Sequence, residues 1–123
     1  MSRLHPEFFL RLYLGEGEMI GPGKAALLEG IARTGSISAV GREMGMSYKR
    51  AWMLVETMNA MFAKPLVTSA RGGAGGGGAA LTETGQAVLA LYRQIEESSI
   101  ALNSDRIARL KGLLASRGAE TGT

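Results

Sequence analysis

The residues best equipped for chemistry in this chain are Tyr48, Lys49 and Arg50. They follow a tight-turn sequence, Met44-Gly45-Met46, and Ser47, a residue type that caps helix starts. A phenol, an ammonium and a guanidinium in the first turn of a helix can all donate to phosphate oxygens. The two cations can also donate to guanine edges in a DNA major groove, and the Tyr48 ring can touch a thymine methyl. The second helix of a helix-turn-helix presents its reading side chains at this place. An ordinary helical hairpin uses similar turns. The DNA reading is preferred because the first exposed residue types of the second helix are basic or phenolic and none is acidic.

Other constellations are missing from the sequence. There is no cysteine, and the single histidine, His5, lies near the N-terminus. Disulfides, thiolate metal sites, cysteine nucleophiles and a histidine-based metal cluster within one chain are thereby excluded. Glu96-Glu97 reads as a solvated helix face. The expectation is therefore a protein that is not an enzyme, with no cofactor and no metal.

Residues 72–78, GGAGGGG, follow Arg71. The run formally matches G-x-G-x-x-G at Gly73, Gly75 and Gly78, but no long helix opens at Gly78 as a dinucleotide site requires. A phosphate-binding P-loop is absent too, since Gly23-Lys24 is followed by Ala25 and position 18 is Glu. As a linker the run would join domains, but the segment beyond it is too small to be one. The preferred reading is the tip of a hairpin wing. There the backbone N–H groups of Gly73, Gly75 and Gly76 can approach phosphates or a minor groove, with Arg71 beside them.

These residues need elements to hold them. Residues 8–14, FFLRLYL, alternate with period two and predict a strand, its Phe8/Leu10/Leu12/Leu14 face and half-apolar Phe9/Arg11/Tyr13 face both packed, one of them against a partner subunit. Residues 15–23 read as a turn-rich connector. A helix is predicted over 24–33, with Ala25, Leu27, Leu28, Ile31 and Ala32 inward. Ser36 caps a short helix through Met44, with Ile37, Val40 and Met44 inward. Gly41 costs that helix roughly 1 kcal/mol relative to Ala, which makes sense if the next helix crosses closely there, at Ala51. That next helix runs from Ser47 to about Phe62 with Ala51, Leu54, Val55, Met58 and Met61 or Phe62 inward. Trp52, the single tryptophan, is expected in the core, with its indole N–H available to a DNA backbone. Residues 66–71 and 79–81 predict a hairpin, and Thr82 or Thr84 caps a long helix. On that helix Val88, Leu91, Tyr92, Ile95, Ser99 and Leu102 form a partly apolar seam, with a break or re-cap expected at Asn103-Ser104-Asp105. A seam larger than so small a core can cover suggests dimerisation.

The bulk numbers agree with one domain of 123 residues, 46% hydrophobic and 20% charged, with net charge +3 and a pI near 9.6. Residues 40–71 carry five bases, Arg42, Lys49, Arg50, Lys64 and Arg71, against two acids, Glu43 and Glu56, enough to account for the whole net charge. No apolar run reaches the length of a membrane span and no signal-peptide layout opens the chain, so the expected location is cytoplasmic with no membrane partner.

Several segments together resemble the N-terminal DNA-binding domain of the ModE family of molybdate-responsive regulators, which belongs with the LysR-type winged helices. They are Gly35-Ser36-Ile37-Ser38, Met46-Ser47-Tyr48-Lys49-Arg50-Ala51-Trp52, Met58-Asn59, and residues 72–82 with Gly85. The resemblance covers roughly residues 8 to 95 and is carried by the combination of S-Y-K-x-A-W, a glycine-rich wing and L-T-x-x-G. The resemblance implies a winged helix-turn-helix that dimerises through its terminal elements and binds a palindromic operator in double-stranded DNA. It puts Ser47, Tyr48, Lys49 and Arg50 at the reading end of the recognition helix and residues 72–78 in the wing. Full-length members carry C-terminal molybdate-binding domains, for which a chain of 123 residues has no room; a stand-alone form is expected, with direct molybdate sensing in doubt.

The resulting expectation is a mainly α fold with a small β component: an N-terminal strand, three helices and a β-hairpin wing over residues 8–84, a C-terminal dimerisation helix over 85–115, and a disordered tail over 116–123. The candidate DNA contacts are Ser36, Arg42, Ser47, Tyr48, Lys49, Arg50, Arg71, Gly73, Gly75 and Gly76. The rival functions are a winged-helix protein-interaction module and an oxyanion sensor at a dimer interface, the latter drawing on Arg93, Arg106 and Arg109.

Overall fold

The computed structural model describes residues 8–70 and 78–115. In chain order its elements are β1 (Leu12–Gly15), β2 (Glu18–Ile20), α1 (Pro22–Thr34), α2 (Ile37–Glu43), α3 (Tyr48–Met61), β3 (Val67–Ala70), β4 (Gly78–Leu81) and α4 (Glu83–Gly112). This is the expected winged helix-turn-helix with a long final helix. Arg71, Gly73, Gly75 and Gly76, the loose start over 1–7 and the tail over 116–123 lie outside the described residues.

The N-terminus departs from expectation. The strand is shorter than predicted, and residues 15–23 contain a second one. β1 and β2 pair antiparallel, with Leu12 opposite Ile20 and Tyr13 opposite Met19. Gly17 makes this reversal possible: at φ 76° it occupies the left-handed region that glycine enters without steric cost. Three residues of β2 are too few to show a period, so the sequence pattern missed them. Leu10 and Leu12 pack against the core, and Phe9 and Tyr13, on the opposite face, are exposed in the single chain.

α1 begins two residues earlier than predicted because Pro22 suits a first helical turn, where an N–H has no acceptor anyway. It ends at Gly35, whose left-handed φ of 71° returns its N–H to Ile31 O at 2.8 Å. Ala25, Leu27, Leu28 and Ile31 are buried as predicted, but burial stops at Ile31 and Ala32 is exposed. Val40 lies against α1: a Cβ built on Gly30 would sit 2.7 Å from Val40 Cγ1, so only glycine permits this approach.

The core joins Leu27, Leu28 and Ile31 of α1 to Val40 of α2, Val55 and Met58 of α3, Leu66 and Val67 at the start of the wing, and Tyr92 of α4. Each such side chain contributes roughly 1.5–3 kcal/mol by leaving water. The Tyr92 hydroxyl is not wasted, since it donates to Leu10 O at 2.7 Å and so fixes the N-terminal segment.

Thr82 is the cap of α4. Its Oγ1 accepts from Gly85 N at 3.0 Å and donates to Pro65 O at 2.7 Å, tying the helix start to the wing's entry. Gly85 is required where it stands, because any Cβ would collide with Leu66 O.

The expected break at Asn103-Ser104-Asp105 does not occur; α4 is continuous to Gly112. The reason is local. Asn103 Nδ2 donates back to Ser99 O at 2.8 Å, and Arg106 donates to Asn103 Oδ1 at 3.2 Å, so the polar groups of Asn103 find partners within the helix instead of ending it. The chain divides within α4 into two units, residues 1–93 and 94–123. In the second, Leu102, Leu110, Leu113 and Leu114 are exposed.

Candidate nucleic-acid interface

The helix-turn-helix is α2, the turn 44–47 and α3. Gly45 turns the chain at φ 74°, and Met46 N donates to Gly41 O at 2.8 Å. The close crossing read from the sequence is present: a Cβ on Gly41 would lie 3.3 Å from Ala51 Cβ and 3.3 Å from Met46 O. Two small residues therefore set how near α3 comes to α2. Both helices carry serine caps. Ser36 Oγ accepts from Ala39 N at 3.0 Å and Ser47 Oγ from Arg50 N at 3.1 Å. Each cap is worth about 1 kcal/mol, and capping leaves the serine O–H free to donate elsewhere; for Ser36 a second hydroxyl, that of Ser38, lies at 3.1 Å.

Ala51, Val55 and Met58 anchor α3 in the core. At about 100° per residue, the face opposite them is Lys49, Met53, Glu56 and Ala60. Tyr48 and Trp52 flank it on one side, Arg50 and Thr57 on the other, and all eight are exposed. The predicted Tyr48, Lys49 and Arg50 thus stand together at the N-terminal tip of α3. Ser47, Lys49, Arg50, Met53, Leu54 and Thr57 line a shallow, open depression.

Two corrections concern this face. Trp52 is not in the core but 44% exposed; one residue past the anchor Ala51, it falls outside the buried arc. Met53 and Thr57 were not singled out in the sequence. Their signal was available, because placing Ala51, Val55 and Met58 inward puts Lys49, Met53 and Glu56 outward.

Arg42 is exposed at the end of α2, while Ser36 is half-buried at its start. Beside Arg42, Glu43 is engaged by Arg33 of α1, whose guanidinium donates to both carboxylate oxygens at 2.6 and 3.2 Å. The hydrogen bond to Arg33 holds the Glu43 carboxyl below its ordinary value, and the same contact raises Arg33. One of the two acids in the basic central stretch is thereby neutralised. Among the described residues, no hydrogen bond or ion pair ties up the side-chain charges of Arg42, Lys49 or Arg50, and no group of three or more His, Cys, Asp or Glu could hold a metal.

The side chain of Asn59 ties the start of the hairpin to α3. Asn59 Oδ1 accepts from Leu66 N at 2.8 Å and Val67 N at 3.0 Å, and Nδ2 donates to Val67 O at 3.1 Å. β3 and β4 pair antiparallel from Val67 opposite Leu81 to Ala70 opposite Gly78. Ala79 N donates to Gly35 O at 2.9 Å, fixing β4 to the end of α1. Asn59 therefore sets where the hairpin leaves α3.

The oxyanion reading rests on Arg93, Arg106 and Arg109. Arg93 is paired with Glu29 of α1 at 2.5 Å, Arg106 Nη1 donates to Leu102 O at 3.2 Å within its own helix, and Arg109 is exposed. No helix among the described residues is long and apolar enough to cross a membrane.

No protein-family model matches the chain. It is 48% identical over 105 residues to the molybdenum-pterin-binding protein MopB of Rhodobacter capsulatus, an alignment covering 79% of this chain and 39% of that protein. It is 39% identical over 116 residues to the DNA-binding transcriptional dual regulator ModE of Escherichia coli K12, covering 91% of this chain and 44% of the regulator. With the molybdenum transport protein ModE of Azotobacter vinelandii the identity is 36% over 99 residues, 78% of this chain and 37% of that protein. The chain spans less than half the length of these curated relatives.

Proposed function

We propose, from the premise that this chain belongs with the ModE family as an N-terminal-type winged-helix domain, that it is a sequence-specific DNA-binding transcriptional regulator acting as a homodimer on a palindromic operator. Its relatives support a molybdenum-related role and are regulators and molybdenum-binding proteins rather than enzymes. The observation that carries the DNA reading is the tip of α3. Lys49 and Arg50 stand exposed at the start of a helix whose opposite face is anchored by Ala51, Val55 and Met58.

In this reading Ser47, Tyr48, Lys49 and Arg50 enter the major groove. Ser36 and Arg42 contact the backbone from α2, and Arg71 with Gly73, Gly75 and Gly76 contacts it from the wing. Phosphate contacts supply affinity, and one or two α3 side chains supply sequence preference. The domain assignment follows: residues 8–84 read DNA and 85–115 pair two copies. Exposed Leu91, Ile95 and Leu102 of α4 support that pairing. A dimer would set two α3 helices roughly 34–36 Å apart, one turn of DNA.

The test is fluorescence anisotropy with duplex DNA over a salt series. Affinity should fall linearly on a log–log plot, with a slope of about −0.9 per phosphate neutralised. Arg50→Ala should weaken the preferred duplex by about 1–3 kcal/mol and relax preference at one position. Salt-independent affinity, or an Arg50→Ala variant identical to wild type in both respects, would leave the protein-interaction reading in its place. The name of the relative MopB, a molybdenum-pterin-binding protein, favours one second reading, an oxyanion sensor. A thermal shift with molybdate decides it: no change is expected, and stabilisation would establish the sensor.

A further inference from the structure

Resting on the DNA reading above, we infer that Met53 is a specificity determinant of this protein and that it reads the C5-methyl group of a thymine. Met53 is 52% exposed on the outward face of α3. It lies one turn beyond Lys49 and shares a depression with Ser47, Lys49, Arg50, Leu54 and Thr57. Thr57 adds little polar donor capacity there, because its hydroxyl proton goes to Met53 O at 3.0 Å. Half-buried Leu54 adds apolar surface. The depression is thus apolar at its middle and cationic toward the start of the helix.

That order matches one ligand. Cations toward the helix tip suit phosphates or guanine edges, while an apolar side chain a turn further along meets the base edges of the groove. The C5-methyl of thymine is the apolar group that the major-groove code displays there. A thioether is also unbranched and adaptable, so it can follow a methyl group without a fixed hydrogen-bond geometry. Trp52 is the neighbouring exposed apolar residue, but it sits on the Tyr48 flank of α3, outside the depression.

The experiment uses the full chain and the duplex it enriches from a random library. Each thymine is replaced singly by deoxyuridine, which removes the methyl and leaves the hydrogen-bonding edge unchanged. For the wild type, one substitution per half-site should weaken binding about fourfold, the worth of one buried methyl-sized group. In Met53→Ala and Met53→Gln the thymine and deoxyuridine duplexes should bind equally, while the salt slope stays at the wild-type value. Met53 is exposed, so neither variant threatens folding, and circular dichroism checks this. The inference is overturned if every deoxyuridine duplex binds like its parent, if Met53→Ala keeps the discrimination, or if Trp52→Ala abolishes it instead. In each of those cases salt-dependent binding persists and the DNA reading stands. Absence of salt-dependent binding to any duplex overturns both.

Discussion

Replacing Asn59 by alanine should uncouple the start of the wing from α3. Thr82 N donates to Leu66 O at 2.9 Å. In an antiparallel ladder hydrogen-bonded and non-bonded pairs alternate, so Val67, the next residue, turns its N–H and C=O away from β4. Asn59 meets both, and the Leu66 N–H as well. Leu66 and Val67 are 0% and 5% exposed, so these backbone groups have little access to water. Three bonds at a net 0.5–1.5 kcal/mol each give a loss of about 2–4 kcal/mol, a large part of the ~5–15 kcal/mol that holds a domain together. For a domain of this size that is a fall in Tm on the order of 10–20 °C. Urea titration followed by circular dichroism measures it directly. Asn59→Asp keeps the acceptor oxygen for the two N–H groups and loses only the donor to Val67 O, so its loss should be smaller. Asn59→Ala within about 0.5 kcal/mol of wild type, the scatter of an ordinary surface change, would refute this account of the wing's attachment. So would an Asn59→Asp loss as large as that of Asn59→Ala.

Other consequences are equally direct. Gly30→Ala would ordinarily gain about 1 kcal/mol in helix propensity. Here the new Cβ meets Val40 Cγ1 at 2.7 Å, and overpacking costs about 1–3 kcal/mol, so net destabilisation is expected in urea titration, relieved by adding Val40→Ala. Ser47→Ala should cost about 1 kcal/mol through loss of the cap on Arg50 N, read as a lower urea midpoint. Because Glu43 is held below its ordinary carboxylate value by Arg33, the pair's contribution is present above the unfolded carboxylate pKa and disappears as pH falls through the folded one. Stability measured from about pH 6 down to pH 3 should fall more steeply for wild type than for Glu43→Gln. Lys49→Ala should reduce the salt slope by about 1 if its contact is to a phosphate, as anisotropy across a salt series will report.

Much of the helix-turn-helix is legible in the sequence. Ser36, Ser47 and Thr82 are caps because a short hydroxyl ahead of an apolar-periodic run is a local chemical signal. Gly41 opposite Ala51 was legible because two small residues flanking one turn have a single economical use. What was missed depended on neighbours outside the local pattern. Trp52 is apolar enough for a core, yet its azimuth beside Ala51 leaves it in solvent. Asn103, Ser104 and Asp105 are residue types that can end a helix, and only their bonds back to Ser99 O and Arg106 show that they continue it. β2 was too short to have a period.

The sequence by itself determined the order of the helices and the hairpin, the serine caps of α2 and α3, the crossing of those two helices and the basic tip of α3, because each follows from side-chain size, charge or backbone freedom within a few residues. Tertiary structure alone decided how far the buried arc of α3 reaches, which leaves Trp52 in solvent. It also decided that Asn59, on the helix, holds the first residues of the wing. Both depend on where buried Ala51, Val55 and Met58 settle against α1 and α2, and that packing is a property of the whole core.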